Sequence, residues 1–137
     1  MIMALIICCQ TCSAFYICTS CSDCNDKINA ASDGSTVYLT NHISSNGTCI
    51  RIHSKSGITF DCQDYSITGS LALYSAGVDI GSQSVNNTFK NCAISGFYYG
   101  FQSGFSSSNR NRFENNILSD LTFGIDIENF DYPLIFV

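Results

Sequence analysis

Four short segments of this 137-residue chain superimpose: Cys49-Ile50-Arg51-Ile52, Gly77-Val78-Asp79-Ile80, Gly100-Phe101-Gln102-Ser103 and Gly124-Ile125-Asp126-Ile127. Their first residues lie 28, 23 and 24 positions apart. After each of the first three come a loop and a second strand-like piece, running from Ser56 to Cys62, Asn86 to Cys92 and Asn109 to Asn116. A third piece follows: Ser66-Ile67-Thr68-Gly69, Ala93-Ile94-Ser95-Gly96 and Ile117-Leu118-Ser119-Asp120. An internal repeat of this length constrains the fold more than any other feature of the chain.

Each piece is short, alternates apolar with polar residues and is bounded by Gly, Asn or Ser, which tolerate the positive φ of tight corners. Matching strands recur one full unit later, so they pair in parallel rather than as hairpins. A chain that turns three corners per repeat and stacks parallel strands is an all-β solenoid, here of about four coils with three short strands each. Stacking puts Ile50, Val78, Phe101 and Ile125 in one interior column, Ile67, Ile94 and Ile117 in a second, and Ile58, Phe89 and Phe113 in a third. Asn91 and Asn115, at equivalent positions, read as a structural ladder at a corner, where a carboxamide satisfies backbone groups that a parallel coil leaves unpaired. Cys62 and Cys92 end the same piece in successive units; both are expected inside, bridged if their Cα atoms come within about 7 Å.

Only 12% of the residues are charged, so the polar surface is built from Ser, Asn, Gly and Thr. Ten Phe and seven Tyr give ample material for a core. A net charge of −5, with six Lys and Arg and no basic run, excludes the electrostatic footprint of nucleic-acid binding.

Six of the nine Cys precede residue 25: Cys8, Cys9, Cys12, Cys18, Cys21 and Cys24. Residues 1–22 carry no charge and open on an aliphatic run, a leader that reads either as an export signal, with Cys12-Ser13-Ala14 as a cleavage junction, or as a membrane anchor. The missing basic start leaves a misplaced initiation site as a third reading. Cys9-x2-Cys12 and Cys18-x2-Cys21-x2-Cys24 have zinc-like spacing, but the first pair sits in an apolar stretch and no His is nearer than His42, which argues against a metal. Export would make the compartment oxidising and the chain secreted or surface-bound, its contact with membrane limited to the leader. Residues 23–45 form an N-terminal cap and first strand, and 46–137 the coils.

The segments Val37-Tyr38-Leu39-Thr40, Gly47-Thr48-Cys49-Ile50, Ile58-Thr59-Phe60-Asp61-Cys62 and Ser66-Ile67-Thr68-Gly69 resemble the opening of right-handed parallel β-helix proteins of the pectate-lyase-like superfamily. Asn91-Cys92-Ala93-Ile94-Ser95-Gly96 and Asn115-Asn116-Ile117 resemble its later coils. The likeness spans about residues 24–130 and extends to secreted and surface β-helix proteins, including periplasmic copper-binding accessory proteins. It implies a cap over the first coil, with Asp23 or Ser22 at the start of a helix. It also implies more coils than this chain holds, so the unit begun at Gly124 reads as cut short.

The superfamily hosts lyases, hydrolases, epimerases and modules without chemistry, so the fold leaves activity open. Its enzymes use carboxylates, alone or with bound calcium and a basic side chain; calcium is expected here only for a lyase, and otherwise no cofactor. The weak catalytic candidates are Arg51, Asp79 and Asp126, which with Gln102 hold one outward line, an Arg51–Asp79 pair at its head. Asp79 and Asp126 are about 9.6 Å apart at two strand spacings. His42 and His53 form no ligand set for copper. Tyr65, Tyr74 and Tyr98, with Tyr99, are expected on the outer face and suit sugar stacking; packing of Tyr98-Tyr99 at a corner with Tyr99 inward is the alternative. Cys24 opens the cap and Cys49 begins the first interior strand; a Cys24–Cys49 disulfide is expected, with Cys21 the competing partner. The preferred function is a non-catalytic extracellular or cell-surface module that binds a polysaccharide or another envelope component. A fragment of a polysaccharide-active enzyme and a periplasmic copper accessory protein are the alternatives.

Overall fold

The structure, a computed structural model, describes residues 14–104, 108–127 and 135–136. Strand β1 (Phe15–Cys18) precedes the helix α1 (Cys21–Ala30). The first coil is β2 (Thr36–Leu39), β3 (Ile43–Ser44) and β4 (Ile50–Ile52); the second is β5 (Thr59–Asp61), β6 (Ser66–Thr68) and β7 (Ala76–Ile80). Then come β8 (Thr88–Lys90), β9 (Ala93–Ser95) and β10 (Tyr99–Ser103), followed by β11 (Arg112–Glu114), β12 (Ile117–Ser119) and β13 (Phe123–Ile127), and finally β14 (Ile135–Phe136). The first sheet has the order β1-β2-β5-β8-β11-β14, the second β3-β6-β9-β12 and the third β4-β7-β10-β13. Every strand pairing is parallel. The chain is a β-solenoid of about five turns, because β1 and β14 add partial turns to the four coils anticipated from the repeat.

The register fixes which side chains stack. Ile50, Val78, Phe101 and Ile125 form one interior column, as their spacing requires. In the second sheet Ile67 and Ile94 are followed by Leu118, not Ile117, which is 68% exposed. Two residues separate β11 from β12 just as two separate β8 from β9, so Ile117 stands level with the half-buried Ala93 and Leu118 with the interior Ile94. In the first sheet the aromatic column is Phe60, Phe89 and Phe113, and Phe89 stacks on Phe113 at 5.7 Å. Ile58 lies two positions earlier, level with Asn87 and Asn111, all three buried.

Those two asparagines form a buried amide ladder. Asn87 accepts the Ile58 N–H at 2.9 Å and donates to the Lys55 carbonyl; Asn111 accepts the Asn87 N–H at 3.0 Å and donates to the Ser84 carbonyl. Asn116 makes the same double contact at the next corner, with the Cys92 N–H and the Phe89 carbonyl. Asn91 and Asn115 instead supply the turn itself, with φ of 56° and 51°, and Asn91 donates to the Asp61 carboxylate at 2.9 Å. At the corner after the second sheet, Gly69 and Gly96 stack so closely that a Cβ on Gly69 would collide with the Gly96 carbonyl oxygen and the Phe97 ring.

Helix α1 closes the end of the stack with Cys24 and Ile28 fully buried. Its N-cap is Ser20, which places Ser22 and Asp23 in the first turn: the Ser20 hydroxyl accepts the Asp23 N–H, and the Asp23 carboxylate reaches back to the Thr19 N–H. Asn25 imitates a neighbouring strand for β4, donating to the Cys49 carbonyl and accepting the Arg51 N–H, both at 2.8 Å. Lys55 satisfies the carbonyls of Asn29 and Ala31 at the other end of the helix. A bare β4 edge would otherwise template association.

Among the described residues three disulfides join Cys18 to Cys24, Cys21 to Cys49 and Cys62 to Cys92. The expected Cys24–Cys49 bridge is therefore replaced. Because α1 begins at Cys21, that residue stands 5.0 Å from Cys49 (Cα to Cα), whereas Cys24, a turn further on, lies 4.9 Å from Cys18. The bridges also occupy the thiols of the zinc-like spacing from Cys18 to Cys24. Strand β1 falls inside the stretch read as leader and is hydrogen-bonded into the first sheet. Cys8, Cys9, Cys12 and the aliphatic run lie outside the described residues. No helix among the described residues is long and apolar enough to cross a membrane.

Candidate functional site

The outer face of the third sheet carries the anticipated line. Arg51 pairs in register with Asp79, Asp79 with Gln102, and Gln102 with Asp126. Alternation on each strand turns these four outward while Ile50, Val78, Phe101 and Ile125 turn in. The ionic contact differs from expectation. Asp79 is held by His53, Nε2 to Oδ2 at 3.1 Å, and among the described residues no ion pair joins it to Arg51. The imidazole reaches Asp79 by lying across Gly81, where a Cβ would overlap the ring.

At the start of the same strands four aromatic rings cluster. Tyr74 and Tyr98 are 5.4 Å apart between ring centroids, Tyr98 and Tyr99 4.7 Å, and Tyr98 and Phe123 5.5 Å. Tyr99 stacks on Phe123 at 5.6 Å with 23° between planes. Of the two positions the sequence leaves open for Tyr99, on the outer face or inward at a corner, the ring takes its place in the cluster: Tyr99 is half-buried while Gly100 and Phe101 beside it are both buried, so the alternation breaks at Gly100. Tyr74 and Phe123 remain 71% and 48% exposed, so the cluster is an open platform. Tyr65, the third tyrosine singled out, lies elsewhere, edge-on to His42 at 5.2 Å.

A groove of about 170 Å³ joins the platform to the polar line, walled by Tyr99, Gln102, Ser103, Gly104 and Asp126. Ser103 replaces Ile in an interior column, between Ile80 and Ile127, and its buried hydroxyl has no hydrogen-bond partner. Phe123 and Ser103 had no signal in the alternation of the sequence: one sits before the repeat's matched segment and the other has the size and polarity of a surface residue.

No family model, curated protein or solved structure matches the chain.

The other imidazole, His42, accepts the Ser66 N–H at Nδ1 (3.1 Å) with the Ser66 hydroxyl 2.8 Å from the same nitrogen. Both contacts are met by a ring protonated at Nε2. This pair ties β3 to β6 and is remote in the fold from the aromatic platform. Among the described residues no group of three His, Cys, Asp or Glu side chains is arranged to hold a metal ion. What the third-sheet face offers chemically is stacking surface, amide and carboxylate hydrogen bonding, and one His–Asp contact.

Proposed function

We propose that this chain is a non-catalytic, exported β-helix module of the right-handed, pectate-lyase-like type, and that the outer face of its third sheet binds glycans. The observation that carries the reading is the contiguity of four aromatic rings with a line of hydrogen-bonding side chains across strands β4, β7, β10 and β13. Sugars present an apolar C–H face and a rim of hydroxyls, and a ring platform bordered by amide and carboxylate groups complements both. Three disulfides fit the oxidising compartment that export implies. Catalysis at the same line is disfavoured because Asp79 is engaged by His53 and Asp126 stands about 9.6 Å away, with no further acid or base of the described residues converging between them.

The test is a glycan array probed with the wild-type chain and with Tyr98→Ala, each then incubated with its ligands and assayed for released reducing ends or unsaturated products. Binding without product, reduced at least tenfold in Tyr98→Ala at unchanged melting temperature, supports the module. Product release would assign the chain to the polysaccharide-active enzymes instead.

A further inference from the structure

Resting on the glycan-binding reading, we propose that the groove beside Asp126 is a subsite for an uncharged pyranose and discriminates against uronic acids. Its volume, about 170 Å³, is below the ~300 Å³ of drug-sized sites and suits one sugar ring. One wall is Tyr99, backed by the stacked Phe123, a platform for the C–H face of a ring. The other is built from Gln102 and Asp126 on adjacent strands. Neither side chain is engaged in a hydrogen bond or ion pair within the described residues, so both are left to a ligand. The carboxylate can accept from two neighbouring hydroxyls while the amide donates and accepts beside it. Ser103 and Gly104 close the end of the same groove.

Charge selects among sugars. Asp126 has no cation against it in the third sheet, whose strands carry one arginine, Arg51 on β4. That residue is three strand spacings away, about 14 Å, which exceeds the screening length of about 8 Å at physiological ionic strength. The imidazole of His53 is committed to Asp79. A ligand carboxylate entering the groove would meet Asp126 uncompensated, in a protein whose net charge is already −5. A hydroxymethyl group at the same place meets a hydrogen-bond acceptor.

The experiment is titration calorimetry on the full chain with neutral gluco-, manno- and galacto-hexasaccharides against hexagalacturonate and hexamannuronate, at low and physiological salt. Expected are binding of a neutral ligand, uronates at least tenfold weaker at low salt, and a gap that narrows as salt rises. Asp126→Asn should close most of the gap by strengthening uronate binding, and Gln102→Glu should widen it, both at the wild-type melting temperature. Uronates binding as tightly as neutral sugars, or a ratio unmoved by either variant, would overturn the discrimination while leaving glycan binding standing. No binding of either class would overturn both.

Discussion

The side-chain oxygen of Asn87 accepts the backbone N–H of Ile58 at 2.9 Å, from one coil to the preceding one and wholly inside the solenoid. Its amide nitrogen donates to the Lys55 carbonyl of the same preceding turn at 3.0 Å. Removing the side chain strands a buried donor and acceptor together, so Asn87→Ala should cost about 2–4 kcal/mol. Asn115, exposed and at φ 51°, contributes a turn that glycine adopts freely, and Asn115→Gly should stay within about 0.5 kcal/mol. Urea titrations with unchanged m-values measure both; a larger loss for Asn115→Gly would place the ladder at the wrong asparagines.

The two bridges at the cap close loops of different size, 28 residues apart for Cys21–Cys49 and 6 for Cys18–Cys24. Restriction of the unfolded chain scales with the logarithm of loop length, giving about 3.5 kcal/mol for the first and about 2.4 kcal/mol for the second. Replacing Cys21 and Cys49 together by Ser should therefore lower stability more than the equivalent change at Cys18 and Cys24. Non-reducing peptide mapping checks the pairing directly. A Cys24–Cys49 crosslinked peptide would show that α1 starts elsewhere.

Gly81 leaves room for the His53 ring that holds Asp79. Gly81→Ala should displace the imidazole, at about 1 kcal/mol, since the ring is half-exposed and can swing into solvent. In a His53→Ala background the same change should be nearly silent. A double-mutant cycle with no coupling between the positions would mean the glycine serves the backbone rather than the ring.

Neighbouring columns of the second sheet make opposite predictions for the same substitution. Ile94 is 1% exposed, so Ile94→Asp buries an unpaired charge between coils and should abolish cooperative unfolding. Ile117 is 68% exposed, and Ile117→Asp should shift the midpoint by less than about 0.5 kcal/mol. Circular dichroism melts of the two proteins decide the register. A collapsed Ile117→Asp would restore Ile117 to the interior.

Much of the architecture was legible because a repeat reports parallel stacking wherever its units match. The line Arg51, Asp79, Gln102, Asp126 followed from period alone, since a residue at the same place in each unit must lie at the same place on each coil. The errors fall at corners. Ile117 for Leu118, Ile58 for Phe60, and Asn91 and Asn115 for Asn87, Asn111 and Asn116 are all slips of one or a few positions. Alternation gives the period of a strand but not which residue of a turn restarts it.

The candidate site divides along the same boundary. That Tyr74 and Tyr98 lie on one face with the polar line is a consequence of sequence position. That Tyr99 stacks on Phe123 goes with a break at Gly100 in the alternation of β10, where two buried positions follow one another. The pairing of Asp79 with His53 rather than Arg51 likewise needs the third dimension. It depends on a glycine in the following coil to admit the ring. Sequence by itself determined the solenoid, its three sheets and the order of its outward residues, because these are properties of a period. Tertiary structure decided the disulfide partners, the interior amides and the composition of the groove, because each depends on how a corner or a helix end directs a side chain in space.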